Sequence, residues 1–156
     1  MIYTFTILGR PYTKKNSPIR TKTGIIQSKQ YRDYEADAIK QIRLQMIEKY
    51  GRIMDPTSHP VELMAQYYMP NRQGWPDALG LLQATADILE KAGVITNDRQ
   101  IVKIANNRLI DGIDKENPRA EIELRELRHR TYYQLDPWLH KKYMAGEYAT
   151  TFEVLD

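Results

Sequence analysis

The chain contains no cysteine. That excludes a disulfide framework, thiolate zinc sites and thiol nucleophiles, and agrees with a reducing compartment. No apolar run approaches the ~18 residues a membrane span needs, and the opening MIYTFTIL is too short and too β-rich for a secretory signal. A cytoplasmic protein that is neither exported nor embedded is expected. Familiar phosphate and metal signatures are also missing: there is no Walker-type loop, no GxGxxG and no paired-histidine helix motif. His59, His129 and His140 are far apart in sequence, and surface or packing roles suit them. Internal repeats and low-complexity tracts are absent.

The chain has 156 residues, 42% of them hydrophobic and 28% charged, values that support a single domain with its own core. Eleven tyrosines are the one compositional bias. The net charge of +3 is unevenly spread: from Arg10 to Arg43 nine basic residues face three acids, so this stretch carries +6 and the remainder −3. A basic segment on a mildly acidic body suits a polyanionic partner such as nucleic acid, and equally a solvated loop and helix face.

The alternation in Ile2–Leu8 predicts a half-buried strand, ended by Gly9 and Pro11. Residues 12–29 lack periodicity and form a long basic loop, with a short hairpin around Thr23-Gly24. Tyr31, Tyr34, Ala38, Ile42 and Met46 fall at helical spacings up to about Tyr50, with Ile39 and Ile47 widening the stripe, and Gly51 is a natural stop. Val61–Met69 reads as a second strand. Further strands are expected over Ile101–Ile110 and Arg119–Leu127, joined as a long hairpin through Asp111-Gly112 and Pro118. The sum is a mixed α/β sheet of about four strands with two main helices packed on it. Residues 128–156 form a C-terminal extension, with a short helix starting at Asp136-Pro137-Trp138.

Between these elements lies WPDALGLLQATADILEKAGVITNDRQI, from Trp75 to Ile101. On a helical projection that sets Asp77 at zero, Leu79, Leu81, Leu82, Thr85, Ala86, Ile88, Leu89 and Ala92 share an arc of roughly 20 to 200°. Asp77, Gly80, Gln83, Ala84, Asp87 and Lys91 lie opposite. Gly93 is placed for a left-handed cap. Asp77 has a routine role as N-cap, Asp87 as the partner of Lys91 four residues on, and Asp98 as a turn residue. Jointly the three could converge, because a strand–helix–strand unit returns the chain across the same sheet. Their carboxylate oxygens would suit Mg²⁺ beside a basic loop that holds phosphates.

The order of FTILGRPYTKKNS, SKQYRDYEADA and PDALGLLQATADILEKAGVITNDRQI resembles the RusA family of Holliday-junction resolvases, small dimeric nucleases often encoded by phages and prophages. The resemblance spans roughly residues 1–127, taken as a nuclease domain, and leaves 128–156 outside. It implies metal-binding, catalytic roles for Asp77 and Asp98, with Asp87 in support. The implied ion is Mg²⁺ or Mn²⁺, and the implied partners are branched DNA and a second copy of the chain. Leu79, Gly80, Gln83 and Asn97 depart from the family pattern, which has an acid, an asparagine, a lysine and a second acid there. Leu79 falls on the apolar arc and is expected to pack inward.

The resulting expectation is a metal-dependent endodeoxyribonuclease that resolves four-way junctions. Lys14, Lys15, Asn16, Arg20, Lys22 and Arg99 would be its DNA contacts, and Trp75 would either stack on a base or pack in a core or interface. The rival expectations are a branched-DNA binder that does not cut and a protein-interaction scaffold. The tail, with Tyr132, Tyr133 and Trp138, could complete a dimer interface, cover a sheet edge or contact DNA.

Overall fold

A computed structural model of the chain describes residues 1–14, 19–26, 28–105 and 110–127. The expected tail helix, Lys15, Asn16, His129 and His140 lie outside the described residues. The centre is a sheet of β1 (Ile2–Leu8), β7 (Arg119–Glu126) and β4 (Val61–Met69), with β5 (Ile101–Ile104) and β6 (Asp111–Ile113) beside β4. β7 runs antiparallel to both β1 and β4, while β5 and β6 run parallel to the two ends of β4. A separate hairpin, β2 (Ile19–Thr21) and β3 (Gly24–Ile26), interrupts the basic loop around Thr23-Gly24, as expected.

Side chains of period two build the core in ranks across the sheet. Tyr3, Leu124 and Leu63 form one rank, Phe5, Ile122 and Ala65 the next, and Ile7, Ala120 and Tyr67 a third. All nine are buried, and the second and third ranks set an alanine, Ala65 or Ala120, beside larger neighbours. Helix α1 (Lys29–Tyr50) and helix α2 (Ala78–Lys91) supply the other half of the core. Ser28 caps α1 by accepting from the Tyr31 amide, and Gly51 ends it with φ 75°, a left-handed turn that glycine adopts without a Cβ clash.

Alpha1 also closes one edge of the sheet. The Gln45 side-chain amide accepts from Thr6 N at 2.9 Å and donates to Thr6 O at 2.7 Å, and Gln41 makes the same pair of bonds to Leu8. Two glutamines thus occupy the groups that another strand would use. Ile39 packs partly against the core as expected, but Ile47 is 47% exposed, because the cover of α1 runs along Tyr31, Tyr34, Ala38, Ile42 and Met46.

The expected long hairpin is absent. β5 ends at Ile104, Asp111–Ile113 is a strand in its own right, and β7 pairs with β1 and β4 rather than with β5. Both edges of β4 are paired: the chain after α2 adds parallel strands along one edge of β4 before crossing to the other as β7. Among the described residues no helix is long and apolar enough to cross a membrane.

Candidate functional site

Asp77 stands at the head of α2, beyond the C-terminal end of β4. Its extended backbone (φ −74°, ψ 146°) makes it the N-cap, and its carboxylate accepts from Gly80 N at 3.3 Å. The approach is fixed by Arg10, whose guanidinium donates to Gln73 O at 2.9 Å and Gly74 O at 3.2 Å. Trp75 is partly buried against the core with the Arg72 guanidinium over its ring, the packing role of the two foreseen. Thr13, buried at 2% exposure, lies against Gly80, so the segment after β1 covers this end of the helix.

That cover changes the faces of α2. Gly80 and Ala84, placed opposite the apolar arc by the projection, are buried, because α1 and the Thr13 segment pack on this flank as the sheet packs on the other. Leu79 does not pack inward: at the edge of the arc it points to solvent and is 75% exposed. Asp87 pairs with Lys14 rather than with Lys91. Lys91 reaches across to Glu35 on α1 at 2.6 Å, and the Tyr31 hydroxyl donates to the other Glu35 oxygen at 3.0 Å. Burial, then the Glu35 carboxylate, push the Tyr31 hydroxyl well above the ordinary tyrosine value.

Asp98 sits at the opposite end of α2. Gly93, at φ 80°, turns the chain after the helix, and Val94 and Ile95 bury beneath it. Asn97 caps a single 3-10 turn, Asp98–Gln100, accepting from Arg99 N at 3.0 Å. The Asp98 amide donates to Glu90 Oε2 at 2.9 Å, which fixes Asp98 beside the last turn of α2. With ~1.5 Å of rise per residue, the 14 residues of α2 hold Asp77 and Asp98 about 20 Å apart. Among the described residues no three of His, Cys, Asp and Glu converge as an ion site. A single chain therefore does not gather the three aspartates.

Gln100 and Glu90 have structural roles that the sequence did not assign them. The Gln100 carbonyl accepts from Thr96 N and Asn97 N, and its amide donates to Thr57 O and His59 O, all at 2.8 Å. It locks the Asp98 turn to the connection before β4. Below this lies Glu126, which accepts from Tyr3 at 2.9 Å. Burial works to raise the Glu126 carboxyl, but hydrogen bonds from Thr57 and Tyr3, helped by the N-terminal amine and His59, outweigh it and hold it below the ordinary value.

Of the expected DNA contacts, Lys14 is paired with Asp87 on the body of α2, Lys22 is exposed on the β2–β3 turn with Arg20 on β2, and Arg99 is exposed beside Asp98. Lys14 thus docks the segment after β1 on the helix that Asp77 caps. The model of the family described as endodeoxyribonuclease RusA matches residues 9–125, three quarters of the chain, and the chain belongs to that family. Its members act on branched DNA as Holliday-junction resolvases. No curated protein matches the chain.

Proposed function

We propose that the chain is a metal-dependent endodeoxyribonuclease of the cytoplasm that cuts four-way junctions in recombination and repair. The observation that carries this reading is Lys14 docked on Asp87 of α2, which holds the basic segment on the helix that Asp77 caps. Lys14, Lys15, Asn16, Arg20, Lys22 and Arg99 would contact phosphates, fixing the position of the DNA without reading its sequence.

Resolvases of this type generally depend on a divalent metal. Asp77 and Asp98 are exposed and offer hard carboxylate oxygens, which suits Mg²⁺ or Mn²⁺. When bound, the ion would activate a water and neutralise charge on the phosphate. Because one chain holds the two aspartates at opposite ends of α2, the reading requires Asp77 of one copy and Asp98 of the partner subunit at each site. A two-fold homodimer supplies two such sites, one for each strand to be cut. The free side for that dimer is the β5–β6 flank, where Val102, Ile104 and Ile113 are exposed, since α1 closes the β1 edge. Asp87 supports the site through Lys14.

The alternative is a module that binds branched DNA without cutting. It is favoured by Leu79, solvent-exposed where the family pattern has an acid, and by Gln83 in place of a lysine whose charge would favour the transition state. The deciding experiment incubates a labelled synthetic junction with Mg²⁺ or Mn²⁺ and the wild-type, Asp77→Asn and Asp98→Asn proteins. Metal-dependent nicking that both substitutions abolish supports the enzyme. Salt-sensitive binding with no nicking leaves the binder, and unchanged nicking in both variants removes the assigned residues.

A further inference from the structure

Leu79 is the most exposed large apolar side chain among the described residues, and it does not stand alone. On the helical projection Leu82, Ala86 and Leu79 fall together at roughly 140 to 200°, whereas Gly80 and Ala84, on the flank packed by α1 and the Thr13 segment, lie at roughly 300 to 340°. Leu82 and Ala86 are only partly buried. The flank of α2 turned away from α1 is therefore an apolar strip, and it continues onto the sheet. The Tyr67 hydroxyl, 2.6 Å from the Thr85 hydroxyl, seats α2 on β4, and β5 and β6 lie along the edge of β4 away from β7 and α1. There Ile104 and Ile113 pair with Leu63 and Met69, which are buried on the helix-bearing face. Both isoleucines stand on that face, each 48% exposed.

We propose that this strip is the contact between two copies of the chain, with their α2 helices antiparallel about a two-fold axis normal to the sheet. The strip suits its own copy: Ala86 lies between Leu82 and Leu79 in angle, and its small side chain lets two helices approach closely. Antiparallel helices also set the positive N-terminal end of one against the negative C-terminal end of the other. The side chains at those ends agree, since Asp77 is exposed at the first and Arg99 is exposed beside the second. The same rotation solves the separation of the aspartates. β4 leads toward Asp77 from its C-terminal end, and β5 begins just after Asp98 beside Val61, the first residue of β4. A two-fold turn therefore carries Asp98 of the partner subunit to the Asp77 end. That catalytic consequence rests on the shared site proposed above; the contact itself does not.

The test has two arms on the full chain, both without metal. Sedimentation equilibrium compares wild type, Leu79→Gln and, as control, Leu44→Gln, which alters an exposed leucine on α1. Wild type is expected to dimerise, and Leu79→Gln to raise the dimer dissociation constant about tenfold or more, because each dimer loses two apolar contacts. Leu44→Gln is expected to leave it unchanged. A monomeric wild type, or a Leu79→Gln protein that dimerises as tightly as wild type or no worse than the control, would overturn the proposal. The second arm reads orientation, using the absence of native cysteine. With a short thiol-reactive cross-linker, Gln83→Cys, near the middle of α2 beside the strip, is expected to join two copies, and Arg99→Cys, past its end, is not. Joining through Arg99→Cys, or through neither, would overturn the antiparallel contact. Neither arm involves cutting. A dimer of this geometry that fails to nick a junction in Mn²⁺ would refute the nuclease reading and leave the contact standing, and a nicking protein that fails both arms would do the reverse.

Discussion

The Lys14 ammonium and the Asp87 carboxylate form an ion pair that ties the segment after β1 to the polar flank of α2. Neither side chain is fully buried, at 29% and 20% exposure, so the pair is worth on the order of 0–1 kcal/mol. Its consequence is positional: with Arg10 on the Gln73 and Gly74 carbonyls, it holds Tyr12–Lys14 in place. Asp87→Asn is expected to lower unfolding free energy by less than about 1 kcal/mol while the amides of Tyr12–Lys14 exchange several-fold faster. Unchanged exchange in that segment, with Mn²⁺ affinity lost, would show that Asp87 acts on an ion instead.

Elements with strong local signals were legible in the sequence. Val61–Met69 was bounded correctly by its flanking prolines, and Asp77 and Gly93 were recognised at the ends of α2 because capping is a matter of adjacent residues. The hairpin of β2 and β3 followed from its turn residues. What failed depended on distant partners. Parallel pairing of β5 and β6 with β4 leaves no mark in their own short sequences. The projection of α2 gave the angles but not the cover, so it could not tell that α1 and Thr13 bury Gly80 and Ala84 or that nothing reaches Leu79. Lys91 was given the local partner Asp87 when Glu35, 56 residues away, was the nearer one. The same limit hid the separation of Asp77 from Asp98, since convergence depends on which end of α2 the chain returns to.

Gln100 bridges two stretches of backbone with all four hydrogen bonds of its amide at 2.8 Å. Gln100→Leu is expected to cost about 2 kcal/mol, chiefly from removing the Gln100 donors to Thr57 O and His59 O and the Gln100 acceptor of Thr96 N and Asn97 N. Gln100→Glu keeps an acceptor for Thr96 N and Asn97 N but sets a carboxylate against those two carbonyls, so it is expected to destabilise as well. Urea denaturation measures both. A Gln100→Glu protein as stable as wild type would show that the two carbonyl contacts contribute nothing.

Glu126 makes stability depend on acidity in a defined direction. Its folded carboxyl lies below its ordinary value of 4.5, so it stabilises the fold above that value and loses the contribution as pH falls through the lowered folded value. Asp114, held low first by its hydrogen bond from Arg119, works in the same direction. Unfolding free energy is expected to fall steadily from about pH 5 downward, and Glu126→Gln is expected to flatten the part of that slope due to Glu126. Parallel pH profiles for wild type and Glu126→Gln would contradict the assignment.

The placement of Asp77 and Asp98 at opposite ends of one helix gives the proposed dimeric site a test that no single variant provides. Asp77→Asn and Asp98→Asn proteins, each inactive alone, are mixed after unfolding and refolded together. If each site draws Asp77 from one copy and Asp98 from the other, half of the dimers are mixed, and each of those carries one intact site and one doubly altered site. About a quarter of the wild-type sites should then return, detected as nicking of a single strand rather than paired cuts. If instead both aspartates of a site came from the same chain, every site would keep one altered residue and mixing would restore nothing. Recovery near a quarter therefore requires that the catalytic unit be shared between copies, and an inactive mixture containing verified mixed dimers would remove that arrangement.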